Sequence, residues 1–307
     1  MANHVKHHYI PQCYLNYFGH LKDTSAGRHS EYFLYVFNTK SQSSYTTSVE
    51  NVCQIKHFYR LADETISKDK SLNALSLEVE VLAQGIEAEY SSLLRLLYTK
   101  RENVLSQNKN IYPISCSEKK AIAEFIAIQH LRMPLYREQI MQVTRDGYPK
   151  AMEIFKHLVA KVEHNPQIAK LKLSYKYDEA MLHANMGFLN PMFVEPILTK
   201  LLNSKWLFAY SPSKDISTSN NPIVSFSIKD GMPSPIFWNS SVIYFPLFPD
   251  VLLILIPNNN ECDIPDCTFA EIQDFAFKSY HNYLALQSTE VYNYNNNFDK
   301  IKEYING

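Results

Sequence analysis

The sequence predicts an α+β fold, in which a predominantly helical layer packs on a small antiparallel sheet built from both ends of the chain. Three observations predict this fold. Apolar residues recur at helical spacing through much of residues 71–204. From Lys205 onward the pattern changes to short β-type runs separated by Pro, Ser and Asn. A similar aromatic run, Glu31–Phe37, lies near the N-terminus, and we expect it to join the C-terminal sheet.

This pairing of the two ends predicts one domain, residues 1–307. The alternative is a boundary near residue 204. That boundary would separate a helical layer, 71–204, from a mainly β region, 205–260.

Helical periodicity is clearest in the middle of the chain. Ser71–Tyr98 predicts a long amphipathic helix whose glutamates, Glu87 among them, form a solvated face. Ser117 is predicted to cap a second helix, which ends near Pro134 because proline disrupts a helix interior. Interruptions such as Gly147–Pro149 separate the later helical patterns. These patterns are Glu138–Thr144, Tyr148–Glu163 and Asp178–Ser204.

The C-terminal region alternates short apolar runs with turn residues, which is typical of antiparallel strands. The predicted strands are Trp206–Tyr210, Ile223–Phe226, Ser241–Phe245 and Val251–Ile256. A helical pattern returns at Thr268–Gln287, and an Asn-rich tail follows it.

Composition and charge limit the classes of partner. Hydrophobic residues make up 46% of the chain, which is enough for a globular core. Thirty basic and 31 acidic residues give a formal net charge of −1, so any nucleic-acid site must be local.

The longest apolar run, Val251–Ile256, is far shorter than the roughly 20 residues of a membrane span. We therefore expect a cytoplasmic protein with no membrane partner, and leave its oligomeric state open.

The first motif of chemical interest is His7-His8-Tyr9-Ile10-Pro11-Gln12. Aromatic and apolar residues surround it, so we expect it to be held against the body of the fold. Alternate residues of an extended stretch point to opposite sides, so only one of the two imidazoles should point inward.

Two further motifs carry polar side chains. Gln129 and Arg132 are three residues apart, on one face of a helix that Pro134 ends. A guanidinium on an otherwise apolar helix needs a partner, either a carboxylate or carbonyl of the protein or a phosphate of a substrate. Asn220 and Asn221 stand in a Ser- and Thr-rich turn before a proline, where amide groups can point outward.

The order of these motifs resembles the DUF4238 family across nearly the whole chain. The matching stretches are His7–Gln12, Tyr35–Phe37, His57–Tyr59, Gln129–Pro134, Thr218–Pro222 and Phe245–Leu247. The resemblance implies kinship with an uncharacterised family of bacteria and fungi, connected with conflict or mobile-element contexts, and it supplies no reaction. Similar members carry Ser-Asp-Asn-Pro where this chain has Ser219-Asn220-Asn221-Pro222. Asn220 thus replaces their aspartate, which puts chemistry that depends on that acid in doubt.

The first functional hypothesis is a nuclease or phosphodiesterase that acts on RNA or DNA. His7 or His8 would serve as general acid or base, because imidazole titrates near neutral pH. Arg132 would stabilise the charge of the transition state. The substrate would be bound by Gln12, Gln129, Asn220 and Asn221.

Two other hypotheses use the same residues. In one, the polar side chains grip a ligand, nucleotide or partner protein without catalysis. In the other, they form a buried network that locks the N-terminus between the helices and the sheet. No cofactor is predicted, no metal ligands are assigned, and a divalent metal stays open.

Overall fold

The structure is a computed structural model, and it describes residues 6–22, 31–56, 58–59, 85–172, 187, 190–258 and 263–306. It confirms the α+β fold class, with helices packed on antiparallel-rich sheets. Among the described helices, none combines the length and apolar content that crossing a bilayer requires.

Helices make up most of the middle of the chain. They are α1 (Gln12–Leu15), α2 (Glu87–Ser106), α3 (Cys116–Arg132), α4 (Pro134–Val162), α5 (Pro191–Leu202), α6 (Asp274–Gln287) and α7 (Asp299–Asn306). Helix α3 begins with a capping box of Ser115 and Glu118, so the cap is Ser115 and not Ser117 as predicted. Its end is where the sequence placed it, because Met133 is extended and Pro134 begins α4.

Some predicted helices differ from the observed ones. The predicted interruption at Gly147–Pro149 is wrong, since α4 continues through Pro149. A proline removes only one hydrogen bond, and a long helix absorbs the loss locally. Parts of two predicted helices, the stretches before residue 85 and between residues 178 and 186, lie outside the described residues, as does His57.

The strands form two larger sheets and one pair. They are β1 (Lys6–His8), β2 (His20–Lys22), β3 (Glu31–Asn38), β4 (Ser43–Ser48), β5 (Gln54–Lys56), β6 (Lys205–Tyr210), β7 (Thr218–Ser219), β8 (Val224–Ser227), β9 (Ser241–Phe248), β10 (Val251–Ile256), β11 (Thr268–Glu271) and β12 (Glu290–Asn293). The C-terminal sheet has the order β11-β6-β10-β9-β8, and β11 alone is parallel to its neighbour. Strand β1 pairs with β5.

The two ends of the chain meet in a second sheet, which we call the joint sheet: β2-β3-β12-β7, with β4 on the other edge of β3. Strand β3 pairs with β12 in the register Phe37↔Val291. The two ends of the chain thus share a sheet as predicted. The prediction that β3 joins the sheet of β6, β8, β9 and β10 is wrong, because those strands form the separate C-terminal sheet. Strand β12 was missed because its sequence offers only two consecutive apolar residues beside an Asn-rich tail.

One hydrophobic cluster contains residues from the N-terminal segment, α2, α3, α5 and the C-terminal sheet. Tyr14 of α1 shows how the layers connect. Its hydroxyl donates to the Pro246 carbonyl at 2.7 Å and lies 2.8 Å from the Thr218 hydroxyl. The single-domain organisation stays a prediction, and this shared core supports it.

Candidate functional site

Strand β1 decides how the two histidines point. In the antiparallel pairing with β5, His7 lies opposite Ile55 and His8 opposite Gln54. His7 is buried, whereas His8 is partly exposed. The expectation that only one imidazole points inward is met, and His7 is that residue.

His7 is used to hold the chain. Its Nδ1 accepts a hydrogen bond from the backbone N–H of Tyr59 at 2.9 Å. Its ring stacks on the Tyr59 ring, with the ring centroids 5.6 Å apart. Because Nδ1 is an acceptor, the neutral ring carries its proton on Nε2. His7 therefore fixes residues 58–59 against β1.

His8 contacts polar groups at a more open position. Its Nε2 lies 3.2 Å from the Glu50 carbonyl oxygen. The Gln12 amide nitrogen lies 3.2 Å from Nε2 and 3.4 Å from Nδ1. Burial lowers the pKa of His8, and the Glu50 carbonyl and the Glu87 carboxylate only partly oppose that effect. The ring is therefore neutral at pH 7 and able to accept a proton.

Arg132 is the last residue of α3, and it is buried. Its Nη2 donates to the His8 carbonyl at 3.0 Å and to Glu87 Oε1 at 2.9 Å. Its Nε donates to the Tyr59 hydroxyl at 2.9 Å. Burial acts to lower the pKa of Arg132, but Tyr59 and Glu87 outweigh it, so that pKa lies above its ordinary value. The third nitrogen, Nη1, is buried and has no hydrogen-bond partner in the described parts of the chain.

Gln129 lies one helical turn before Arg132 and is also buried. Its Nε2 donates to the Tyr9 carbonyl at 2.7 Å. Its Oε1 has no partner among the residues that the structure describes. Gln129 and Arg132 thus donate to two consecutive carbonyls of the N-terminal motif, those of Tyr9 and His8. Each side chain also has one polar atom without a partner among the described residues.

Glu87 is the residue that sequence reasoning misplaced. It was expected on a solvated face, but its carboxylate pairs with Arg132, and its side chain is only 21% exposed. The signal was the unpaired guanidinium on an apolar helix, although no local spacing links two residues that lie 45 positions apart. We call His8, Gln12, Glu87, Gln129 and Arg132 the polar cluster.

Asn220 and Asn221 lie apart from the polar cluster and are engaged in the joint sheet. Asn220 Oδ1 accepts from the backbone N–H groups of Thr289 and Glu290 at 3.1 and 3.2 Å. Asn221 Nδ2 donates to the Gln287 carbonyl at 3.2 Å. Tyr9 connects them to the N-terminal motif: burial raises the pKa of its phenol, and the nearby Asn220 side chain partly opposes that effect. Their predicted role in substrate binding stays a prediction.

The arrangement offers an imidazole, a carboxylate and a guanidinium close enough for Glu87 and Arg132 to affect the His8 pKa. Within the described ranges, no group of three or more His, Cys, Asp or Glu residues is placed to hold a metal ion. The chemistry that these side chains offer is anion binding by Arg132 and proton transfer by His8.

Comparison with known proteins gives one match. The sequence matches the model of DUF4238, described as a protein of unknown function, over residues 6–296. No curated protein and no solved structure matches it. Since the match spans nearly the whole chain, this protein belongs to the DUF4238 family.

Proposed function

We propose that the polar cluster binds a ligand through a phosphate or carboxylate oxygen, and that the chain is a binding module without catalysis. One observation carries this proposal: Nη1 of Arg132 is buried and has no partner among the described residues. A buried polar group without a hydrogen bond costs about 1–3 kcal/mol, and more when it is charged. An oxygen of a bound ligand at Nη1 removes that cost.

The rest of the guanidinium is already fixed. Tyr59, Glu87 and the His8 carbonyl hold its other two nitrogens. A side chain held in this way loses little conformational freedom when a ligand binds, which favours affinity. Gln129 Oε1 adds an unused acceptor on the same helical face, so a ligand with both an accepting oxygen and a donor group suits the cluster.

His8, Gln12 and Glu87 are partly exposed, and we infer that a ligand reaches Arg132 past these side chains. The Gln12 amide contacts the His8 ring only at 3.2–3.4 Å, at the long end of the hydrogen-bond range. A rotation of Gln12 therefore breaks no strong bond.

The test is isothermal titration with two probes, inorganic phosphate and a short single-stranded RNA. We expect at least one probe to bind, and Arg132→Lys to weaken it by about tenfold or more, because an ammonium cannot replace a planar guanidinium that serves several acceptors. Arg95→Lys, on the exposed side of α2, is the matched control. Failure of both probes to bind, or equal affinities of the two variants, contradicts the proposal.

A second candidate is a phosphodiesterase that acts on RNA or DNA. The specific observation in its favour is His8, a partly exposed imidazole whose pKa is lowered and which Glu87 and Arg132 influence. His8 would accept the proton of the attacking group, and Arg132 would stabilise the phosphorane charge. The family resemblance suggests bacterial defence or conflict as the setting.

Hydrolysis of RNA and DNA, with and without Mg²⁺ or Mn²⁺, separates the two candidates. If the protein is a phosphodiesterase, His8→Ala loses about 100-fold or more in rate. His157→Ala, an exposed histidine of α4, keeps the full rate. RNA binding without cleavage by the unaltered protein removes this candidate and leaves the binding module.

A further inference from the structure

A groove of about 400 Å³ lies at the C-terminal end of α5 and contains no residue of the polar cluster. One wall is the last turns of α5, and the others are the loop before β9 and the residues that follow β10. Its volume falls within the range of small-molecule sites in proteins. The groove is therefore large enough for a compact organic ligand.

The charge of the groove favours an anion. Among the described residues that line it, Lys200 is the one ionisable side chain, and none of them is a carboxylate. The Lys200 ammonium donates to the Asn239 carbonyl at 3.1 Å, which fixes the nitrogen and leaves further N–H bonds for a ligand. Burial lowers the pKa of Lys200 from its ordinary value.

The remaining lining groups suit a planar ring with polar edges. Asn203, Asn239 and Asn258 are lining residues of the groove, and an asparagine side chain offers both donors and an acceptor. Phe237 is a lining residue with 49% of its surface exposed, so its ring is accessible to a stacking partner.

We propose that this groove binds a nucleoside phosphate. In this arrangement the phosphate lies on Lys200, the base stacks on Phe237, and the asparagine amides contact the edge of the base. The proposal goes beyond the binding function of the polar cluster, because the two sites share no residue.

The test is isothermal titration with adenosine monophosphate, adenosine and inorganic phosphate. The titration uses the Arg132→Lys variant, in which phosphate binding at the polar cluster is weakened. There we expect adenosine monophosphate to bind about tenfold tighter than either of its parts, because only the whole molecule engages both Lys200 and Phe237. No binding of adenosine monophosphate, or equal affinity for it and for phosphate alone, overturns the proposal.

Matched variants locate the site. Lys200→Gln and Phe237→Leu should each weaken binding by about tenfold. Lys120→Gln, on the surface of α3, and Trp238→Leu, beside the groove but not lining it, should leave the affinity unchanged. Lys200→Arg keeps the charge and should retain most of the affinity, and thermal unfolding verifies that every variant is folded. Equal affinities of the Lys200 and Lys120 variants overturn the proposal.

The same variants separate this site from the polar cluster. Lys200→Gln should leave RNA or phosphate binding at Arg132 unchanged. Arg132→Lys should leave adenosine monophosphate binding unchanged. Loss of adenosine monophosphate binding in Arg132→Lys but not in Lys200→Gln would assign the nucleotide to the polar cluster and contradict the groove.

Discussion

Two buried arginines, Arg101 of α2 and Arg132 of α3, use their nitrogens differently. Arg101 engages all three: Nε and Nη2 pair with Asp250 in the β9–β10 turn, and Nη1 pairs with Glu102. Arg132 engages two and leaves Nη1 without a partner among the described residues. Both arginines are buried, so burial does not separate them. The difference is the unused donor of Arg132, on which the binding proposal rests.

The two acids that pair with these arginines also differ, both in burial and in the number of carboxylate oxygens that contact the arginine. Asp250 is buried and serves Arg101 through both carboxylate oxygens. Glu87 is partly exposed and serves Arg132 through one oxygen, with two further acceptors beside it. Removal of the acid should thus cost much more stability at Arg101 than at Arg132.

The largest effect is expected from Asp250→Ala. It leaves the Arg101 charge buried without its main partner, so the free energy of unfolding should fall by about 3–5 kcal/mol. Urea unfolding at pH 7 measures the change. The double variant Arg101→Met with Asp250→Leu should recover most of the loss, because it removes both buried charges. A loss below about 1 kcal/mol in the single variant would show that the pair is not structural.

The effect of burying a titratable side chain can also be tested through the pH dependence of stability, at His281. His281 donates through Nδ1 to the Phe277 carbonyl, and burial lowers its pKa to about 4. In the unfolded chain the pKa is about 6.5, so the unfolded state binds more protons between these values. This contribution to stability is complete above about pH 6.5 and is lost, by about 3 kcal/mol, as the pH falls towards 4.

Urea unfolding across this pH range, compared with His281→Gln, isolates the contribution of the imidazole from that of the carboxylates. The variant should show a shallower decline as the pH falls. Parallel curves for the two proteins would mean that the native imidazole titrates as it does in the unfolded chain.

The smallest effect is expected from Glu87→Gln. The amide still offers an oxygen to Arg132, and the site is partly exposed, so the free energy of unfolding should fall by only about 1 kcal/mol. Glu89→Gln, an exposed residue of the same helix, is the control and should change nothing. A loss as large as that of Asp250→Ala would make Arg132 a second structural arginine and remove the basis of the binding proposal.

The sequence predicts what depends on local pattern. The spacing of Gln129 and Arg132, the helix end at Pro134 and the burial of the N-terminal motif all follow from neighbouring residues. The pairs Arg132–Glu87 and Arg101–Asp250 could not be predicted, because they join single charges 45 and 149 positions apart with no periodic signal. Strand β12 was missed because its own composition is a weak strand signal. Its pairing with β3 is what makes it a strand.

The most direct test of the central claim is an NMR measurement of the guanidinium groups of Arg132 and Arg101 in the same sample. Addition of the RNA or phosphate probe should shift the Nη1 resonance of Arg132 and slow its proton exchange, while Arg101 stays unchanged. If saturating probe leaves Arg132 unaffected, or shifts both arginines equally, the unused nitrogen is not the contact that defines the site.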